Sequence, residues 1–312
     1  MTLDSATVLV TGGAGFVGSH VIHDLLDSGG SVHVLDNLHA GKASHVPTDA
    51  TLHEVDLRDA ADVSETVYAV APDVVVHLAA LHYIPYCNDN PEEAFDVNVM
   101  GTRHLLDAAR DLDDLERVVY SSTAAVYPPR DEPHAVTDAT GAMDIYGRTK
   151  LVGEDLLELF HRETGVPAAS ARLFNVYGPN ETNPHLIPAI LEQIEDGTRE
   201  IDLGNLTPKR DFIYAGDVAS ALAELAGADL DGHRTYNVGT GRAWSVREVV
   251  EQVSEAFGEP IEIEQDEDRI RESDRPHLCA DTSRIERETD WQPETEFVDG
   301  LRRLVDAEGI TA

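Results

Sequence analysis

Three clusters of side chains in this sequence could do chemistry. The first is Tyr146-Gly-Arg-Thr-Lys150. If the segment is helical, four residues of spacing put Tyr146 and Lys150 on one face. A phenol with an ordinary pKa of about 10 is a poor base at neutral pH. A nearby ammonium favours its phenolate, and a tyrosine tuned in this way can take a proton from an alcohol. The second cluster is Ser121-Ser-Thr123, which ends the apolar run Arg117-Val-Val-Tyr-Ser121. Hydroxyls at the C-terminal edge of a strand can donate to or accept from a substrate oxygen, or they can serve as caps and turn bonds. The third cluster is basic: Lys209-Arg-Asp-Phe-Ile-Tyr214 and Arg271-Glu-Ser-Asp274. Arg210 and Arg271 carry guanidiniums suited to bidentate contact with a diphosphate, although two surface arginines would read the same, and Arg269 and Arg275 compete with Arg271 for the role. A Tyr–Lys pair at this spacing also arises by chance, so its meaning depends on the elements that position it.

Those elements begin with Thr11-Gly-Gly-Ala-Gly-Phe-Val-Gly-Ser-His20. An apolar run, Thr7-Val-Leu-Val10, precedes it and a helical pattern from Val17 to Leu26 follows. Gly12 permits a sharp turn out of the strand, Gly15 lets backbone approach a pyrophosphate, and Gly18 lets the helix pack close to the sheet. The helix N-terminus then offers N–H groups and positive potential to phosphate. A glycine-rich strand–helix turn without a ligand has the same pattern. Asp36 ends the next apolar run, Ser31-Val-His-Val-Leu-Asp36, 18 residues past Gly18. A carboxylate there can accept hydrogen bonds from an adenosine ribose. It would repel a 2′-phosphate, and no Arg follows within five residues, which favours NAD over NADP; a turn aspartate before Asn37 is the alternative. Further strands are expected at 51–55, 73–80 and 117–121, with helices at 59–70, 91–110 and 146–163. The uninterrupted apolar run after Asp73 suits a strand buried on both faces. This βαβαβ alternation predicts a doubly wound parallel α/β sheet. Its ligands would sit at the strand C-terminal ends, beyond Ala79, Ala80 and Ser121.

Taken together, these residues resemble the extended short-chain dehydrogenase/reductases, and within them the NAD-dependent nucleotide-sugar epimerases and dehydratases, of the UDP-glucose 4-epimerase kind. The resemblance runs from Thr7 to about Leu304 on an ordered set of motifs: the glycine segment, Asp36, Asp56-Leu57, His77-Leu-Ala-Ala80, Asn98 with Gly101-Thr102, Ser121-Ser-Thr123, Tyr146 to Lys150, and Arg172-Leu-Phe-Asn-Val-Tyr-Gly-Pro179. It implies that Tyr146 is the active-site acid and base, that Lys150 binds the nicotinamide ribose and lowers the Tyr146 pKa, and that Thr123 holds the reacting sugar oxygen. NAD would lie against Gly12, Gly15, Phe16, Val17, Gly18, Asp36, Asn37, Ala79, Ala80 and Ser121, with Asp56 and Leu57 flanking the adenine and Asn98 supporting the cofactor-side loop. Asn175 and Arg210 would meet the diphosphate of a nucleotide sugar, in the family usually a UDP-sugar. Arg271 would add a second diphosphate contact and Asp274 would hold the uridine ribose. The family also implies a homodimer built on the helices at 91–110 and 144–163, although the stripe of Leu151, Leu156 and Leu159 could equally face the sheet.

The resemblance divides the chain into a Rossmann NAD-binding domain over residues 1–175, with return segments at about 215–241 and 297–308, and a smaller C-terminal α/β region over 176–214 and 242–296 that binds the nucleotide sugar. Ser245 and Glu248 form a potential capping box for a helix in that region. Residues 81–88 depart from the usual epimerase loop and are expected to line the sugar pocket, while Leu278 occupies a position that restricts substrate size in the family.

The 312 residues, 42% of them hydrophobic, permit a full core. The sequence has no apolar run long enough to span a bilayer and no basic segment before an apolar one, so a cytoplasmic location is expected. Cys87 and Cys279 give no disulfide framework, and no Cys/His spacing matches structural zinc. Acidic residues number 59 against 23 basic, a net charge of −36, which argues against nucleic-acid binding. Lysine occurs only at positions 42, 150 and 209. High acid with few lysines resembles the proteins of salt-accumulating halophiles; an acidic enzyme without that adaptation is the alternative.

Three functions remain open from the sequence: a nucleotide-sugar 4-epimerase, a 4,6-dehydratase or decarboxylase on the same scaffold, and an NAD-binding regulatory protein without catalysis. The intact Thr123, Tyr146 and Lys150 weigh against the last, and Ala124 and Ala125 stand where dehydratases of the family carry acidic residues. The charge itself makes a prediction. Molar KCl screens self-repulsion at net −36, so the melting temperature should rise from low salt to molar KCl. A flat or falling melting temperature across that range defeats the halophile reading.

Overall fold

The computed structural model describes residues 3–266 and 276–310. Seven strands form one parallel sheet. In chain order its members are β1 (Thr7–Thr11), β2 (Ser31–Asp36), β3 (Thr51–Glu54), β4 (Val74–His77), β5 (Arg117–Thr123) and β6 (Ala168–Leu173), joined later by His233–Val238. The order across the sheet is β3-β2-β1-β4-β5-β6 and then His233–Val238. The direction of winding therefore reverses between β1 and β4, the place where such sheets open a crevice for ligands. Val8 pairs with Val32 on one side and Val74 on the other. Every residue of β4 and β5 is buried, as expected of strands covered by helices on both faces.

The expected helices form at Phe16–Asp27, Ala60–Val70 and Ile145–Thr164. The segment expected as one helix over 91–110 is interrupted: α-helix over Pro91–Phe95, a π-helical turn over Asp96–Met100, then α-helix over Gly101–Ala109. The wider turn carries Asn98 inward, where its side chain meets Leu81 and Thr149; π turns inside helices commonly mark such constrained sites. The residues after β4 also form a short helix, Ile84–Asp89, in a segment whose sequence pattern predicts a loop.

Beyond β6 the chain builds the smaller region. Strands β7 (Asn175–Tyr177), β8 (Glu200–Leu203) and β9 (Lys209–Tyr214) come first. After β10, the His233–Val238 strand of the large sheet, come β11 (Ala243–Ser245), β12 (Glu262–Gln265) and β13 (His277–Leu278). β9 is central: β7 and β13 pair with it in parallel and β11 antiparallel, while β8 and β12 form a separate two-stranded sheet. The Ser245–Glu248 capping box is present at the start of Val246–Phe257.

Ala215–Gly227 packs with the large sheet, where Val218, Leu222 and Leu225 share a core with Val8, Val10 and Val34. The expected return of 297–308 to that sheet does not occur. Helix Phe297–Glu308 presents Phe297, Leu301 and Leu304 to Val249, Val253 and Ile190 in the smaller core. Ile285 and Trp291 join the large core instead. The apolar stripe on Phe297–Glu308 is satisfied by the neighbouring helix Val246–Phe257, so it needs no place on the sheet.

Two buried polar chains tie the strands to their helices. Thr102 Oγ1 donates to the Asn98 carbonyl at 2.7 Å, so it must accept from His77 Nε2 at 2.8 Å; His77 Nδ1 then accepts from Thr11 Oγ1 at 2.6 Å. Burial pushes the His77 imidazole down to about 3, which keeps it in this neutral tautomer. The second chain starts at Glu154, one turn beyond Lys150. Its carboxylate accepts from Ser122 Oγ and, in a bidentate pair, from Arg172 at 2.9 and 2.7 Å. Arg172 also donates to the Tyr127 hydroxyl at 2.8 Å, and that hydroxyl donates to Asn237 at 2.7 Å. Removing one member of a buried pair leaves an uncompensated charge. Glu154→Ala should therefore cost about 3–5 kcal/mol in denaturant unfolding at molar KCl, and the double change Glu154→Met with Arg172→Met should cost less than the single one. Equal losses would show that the pair is not acting as a unit.

Candidate active site

The crevice at the β1/β4 reversal opens into a cleft of about 1270 Å³ between the large sheet and the smaller region. At one end lies the glycine turn. Gly12 has φ +72°, and a Cβ there would sit 2.6 Å from the Ala79 amide nitrogen; a Cβ on Gly18 would lie 2.2 Å from the Gly12 carbonyl. A Cβ on Gly15 would have only one neighbour, the same carbonyl at 3.2 Å, so this glycine keeps its outer side open to the cleft. Helix Phe16–Asp27 starts there with no side-chain cap and no acidic residue in its first turn. Phe16, Val17, Ala79 and Ala80 line the cleft beside it. An uncapped helix start above an open glycine fits the pyrophosphate of a dinucleotide.

Asp36 closes this end. Its carboxylate accepts from the Ala14 amide at 3.0 Å and the Leu38 amide at 2.8 Å. Burial raises its pKa, and those two amide bonds oppose the shift. Each oxygen keeps acceptor capacity for a ribose hydroxyl. Leu57 lines the cleft. Beside them Asn37 donates to Asp56 Oδ2 at 2.9 Å, and Arg58 binds both oxygens of the same carboxylate at 3.0 and 2.7 Å. Those Arg58 bonds hold the Asp56 carboxyl well below the usual range. Counting arginines soon after Asp36 missed Arg58, because it comes from the loop after β3. The charge argument for NAD survives, since Asp56 and, at 3.6 Å, Glu93 offset the guanidinium.

Asn98 does not line the cleft. Its amide oxygen accepts from the Leu81 amide at 2.7 Å, and its nitrogen donates to the Leu81 carbonyl and to Thr149 Oγ1, each at 2.9 Å. These bonds fix residue 81, in the loop after β4, against the helix that carries Lys150.

That helix, Ile145–Thr164, is capped by Asp144, which accepts from the Gly147 amide at 2.7 Å. Gly147 allows the helix to lie against the turn after β5, since a Cβ there would be 2.6 Å from the Ala125 carbonyl. Tyr146 thereby comes within reach of Thr123, whose hydroxyl favours its ionised form, and both line the cleft. Thr123 also caps the turn through the Ala125 amide at 3.1 Å, so the capping reading of its hydroxyl holds. Lys150 is buried, donates to the Ser121 carbonyl at 2.8 Å, and stands 5.9 Å from the centre of the Tyr146 ring. Burial pushes the ammonium down to about 7. Burial also raises the Tyr146 phenol, against the pull of the Thr123 bond.

Toward the smaller region, Asn175 and Arg210 line the cleft, and the buried Asn175 amide nitrogen has no hydrogen-bond partner among the described residues. Arg210 sits on β9 opposite Trp244 and Leu278. Arg271 and Asp274 lie outside the described residues. Sequence reading missed His82 and Asn183 as partners: His82 meets the Asn183 amide at 2.8 Å and bonds the Ala80 carbonyl. They are 101 positions apart, and no local pattern signals such a contact.

The NAD dependent epimerase/dehydratase family matches residues 8–239. The chain belongs to this family. A UDP-glucose 4-epimerase of Corynebacterium glutamicum is 35% identical over 304 residues, which cover 92% of this chain and 91% of that protein. The Thermus thermophilus UDP-glucose 4-epimerase, solved with NAD, superposes with a TM-score of 0.88 at 34% identity, over 98% of this chain and all of that one. A UDP-N-acetylglucosamine 4-epimerase of Methanobrevibacter ruminantium, solved with UDP-N-acetylmuramic acid, gives 0.89 at 28% identity, over 98% of each chain. The resemblance to extended short-chain dehydrogenase/reductases and the expectation of an NAD-dependent sugar-nucleotide epimerase both stand. For cofactor choice, Asp36→Asn should narrow the preference for NAD over NADP by about tenfold or more, because it removes one charge beside the ribose. Titration of both cofactors measures this, and an unchanged ratio removes Asp36 from the discrimination.

Proposed function

We propose that this protein is a 4-epimerase of UDP-sugars, acting on UDP-glucose and UDP-galactose or their N-acetylated counterparts. One observation carries the reading: Tyr146, Thr123 and Lys150 converge at the end of β5, and the residues that follow Thr123, Ala124 and Ala125, have only methyl side chains. In this reading Thr123 orients the 4-hydroxyl and Tyr146 takes its proton, returning it after the 4-keto sugar has turned over in the cleft. NAD, when bound, supplies a reversible two-electron acceptor for C4 and the positive charge that helps the buried phenol ionise. Lys150 holds the Ser121 carbonyl and contributes further positive charge. Asn175, with its unpaired amide, and Arg210 are suited to the diphosphate, and Arg271 and Asp274 remain candidates for diphosphate and uridine ribose. Leu278, beside Arg210, leaves N-acetylated sugars admissible.

A 4,6-dehydratase needs an extra acid and base near C5 and C6. Ala124 and Ala125 can provide neither, and Nε2 of His82 is engaged by Asn183. A decarboxylase needs a site for a uronate carboxylate, and Arg210 is assigned to the diphosphate. The division into an NAD-binding and a nucleotide-sugar-binding region is retained with Phe297–Glu308 moved to the latter. The homodimer also belongs to this reading. On the adjacent helices, Phe95, Met100 and Leu159 are 39, 44 and 43% exposed, whereas Leu151 and Leu156 pack into the cores. Among the described residues no helix is long and apolar enough to cross a membrane.

The test incubates the protein with NAD and UDP-, dTDP- and GDP-sugars and follows products by NMR. Interconversion of the 4-hydroxyl without net redox change is expected, and Tyr146→Phe should reduce it by at least about 10²-fold while NAD still binds. Accumulation of a 4-keto-6-deoxy sugar would replace the epimerase with a dehydratase.

A further inference from the structure

Glu181 is the feature of the cleft that this mechanism leaves unused. It lines the same cleft as Thr123 and Tyr146, yet its side chain is only 6% exposed. One carboxylate oxygen accepts from the Thr182 and Asn183 amides, both at 2.9 Å; the other faces His185 Nδ1 at 3.5 Å. These contacts hold the ionised form: its pKa is lowered although burial works the other way.

A continuous set of contacts fixes Glu181 relative to the reacting groups. Thr149, next to Lys150, bonds Asn98; Asn98 clamps Leu81 through both its amide atoms; and His82, which follows Leu81, meets Asn183. His82 is close enough to feel both the Glu181 and the Lys150 charges. Glu181 thus belongs to the cleft wall that the His82–Asn183 contact joins to residues 81–88. The Lys and Arg residues among the described cleft lining are Arg58, Lys150 and Arg210. Arg58 is held by Asp56, and Lys150 is turned to the Ser121 carbonyl.

Resting on the nucleotide-sugar epimerase reading, we propose that Glu181 is a specificity-determining residue: its fixed charge admits nucleotide sugars with an uncharged C6 and rejects uronates. A carboxylate can only accept hydrogen bonds, so a sugar hydroxyl can satisfy it as a donor. A uronate brings a second acceptor-only anion to a partly desolvated wall, where like charges repel more strongly than in water.

The experiment compares UDP-glucose with UDP-glucuronate in molar KCl. Salt at that level screens the overall net charge but leaves a buried contact largely unscreened. Glu181→Gln should raise the ratio of kcat/KM for UDP-glucuronate over UDP-glucose by about tenfold or more, the scale of losing one like-charge contact. An unchanged ratio, with UDP-glucose still epimerised, overturns the role of Glu181 alone. Failure of the wild-type protein to epimerise any neutral UDP-sugar overturns the underlying reading instead. A measurement on the wild-type protein does not depend on the variant folding. As competitors of the neutral substrate, UDP-xylose, which lacks C6, should bind at least about tenfold more tightly than UDP-glucuronate. Equal inhibition overturns the proposal.

Discussion

The close approach of helix Ile145–Thr164 to β5 governs the rest of the site. Tyr146 can meet Thr123 only if the helix lies almost in van der Waals contact with the strand and the turn beyond it. Two glycines make this possible. A Cβ on Gly147 would collide with the Ala125 carbonyl, and one on Gly153 would come within 2.0 Å of the Tyr120 hydroxyl. Closeness alone does not fix the axial position of the helix, and the Glu154–Arg172 pair with Ser122 supplies that constraint. Ser122 lies next to Thr123 on the strand, and Glu154 lies one turn after Lys150 on the helix. The pair therefore locks the two halves of the reacting group in register.

The cost of that arrangement is buried charge. Lys150, Glu154 and Arg172 are all withdrawn from water, while the exterior carries a large acidic excess. The two charge distributions answer to different conditions. Exterior repulsion is screened by salt within a few ångströms at molar ionic strength. The buried groups are governed by desolvation and by their hydrogen bonds, which salt hardly touches. Salt can thus change the stability of the fold while leaving the geometry of Thr123, Tyr146 and Lys150 as it is.

The large sheet was legible because its signals are local. Alternating glycines, an aspartate at a strand end and continuous apolar runs specify β1, β2 and β4 within windows of a few residues. The proposed reacting residues were legible for a different reason: Tyr146 and Lys150 lie on one helical turn, and Thr123 ends a strand. What stayed hidden depends on contacts distant in sequence. The π turn that carries Asn98 to Leu81 left no mark in the sequence pattern. Helix Phe297–Glu308 was misplaced because an apolar stripe states that a helix is covered but not by what. Arg58 and Glu181 carried no periodic signal, and only the fold brings them to the cleft.

Lys150 shows how far composition and geometry agree. This chain uses arginine for nearly all its positive charge, yet a lysine stands where the reaction is proposed to occur. The structure supplies a reason. The amine must reach the Ser121 carbonyl at 2.8 Å between the rings of Tyr120 and Tyr146, 4.8 and 5.9 Å away. A compact ammonium fits that space, whereas a planar guanidinium presents five donors that would need partners there. An arginine would also stay charged throughout, whereas burial brings Lys150 down to about 7.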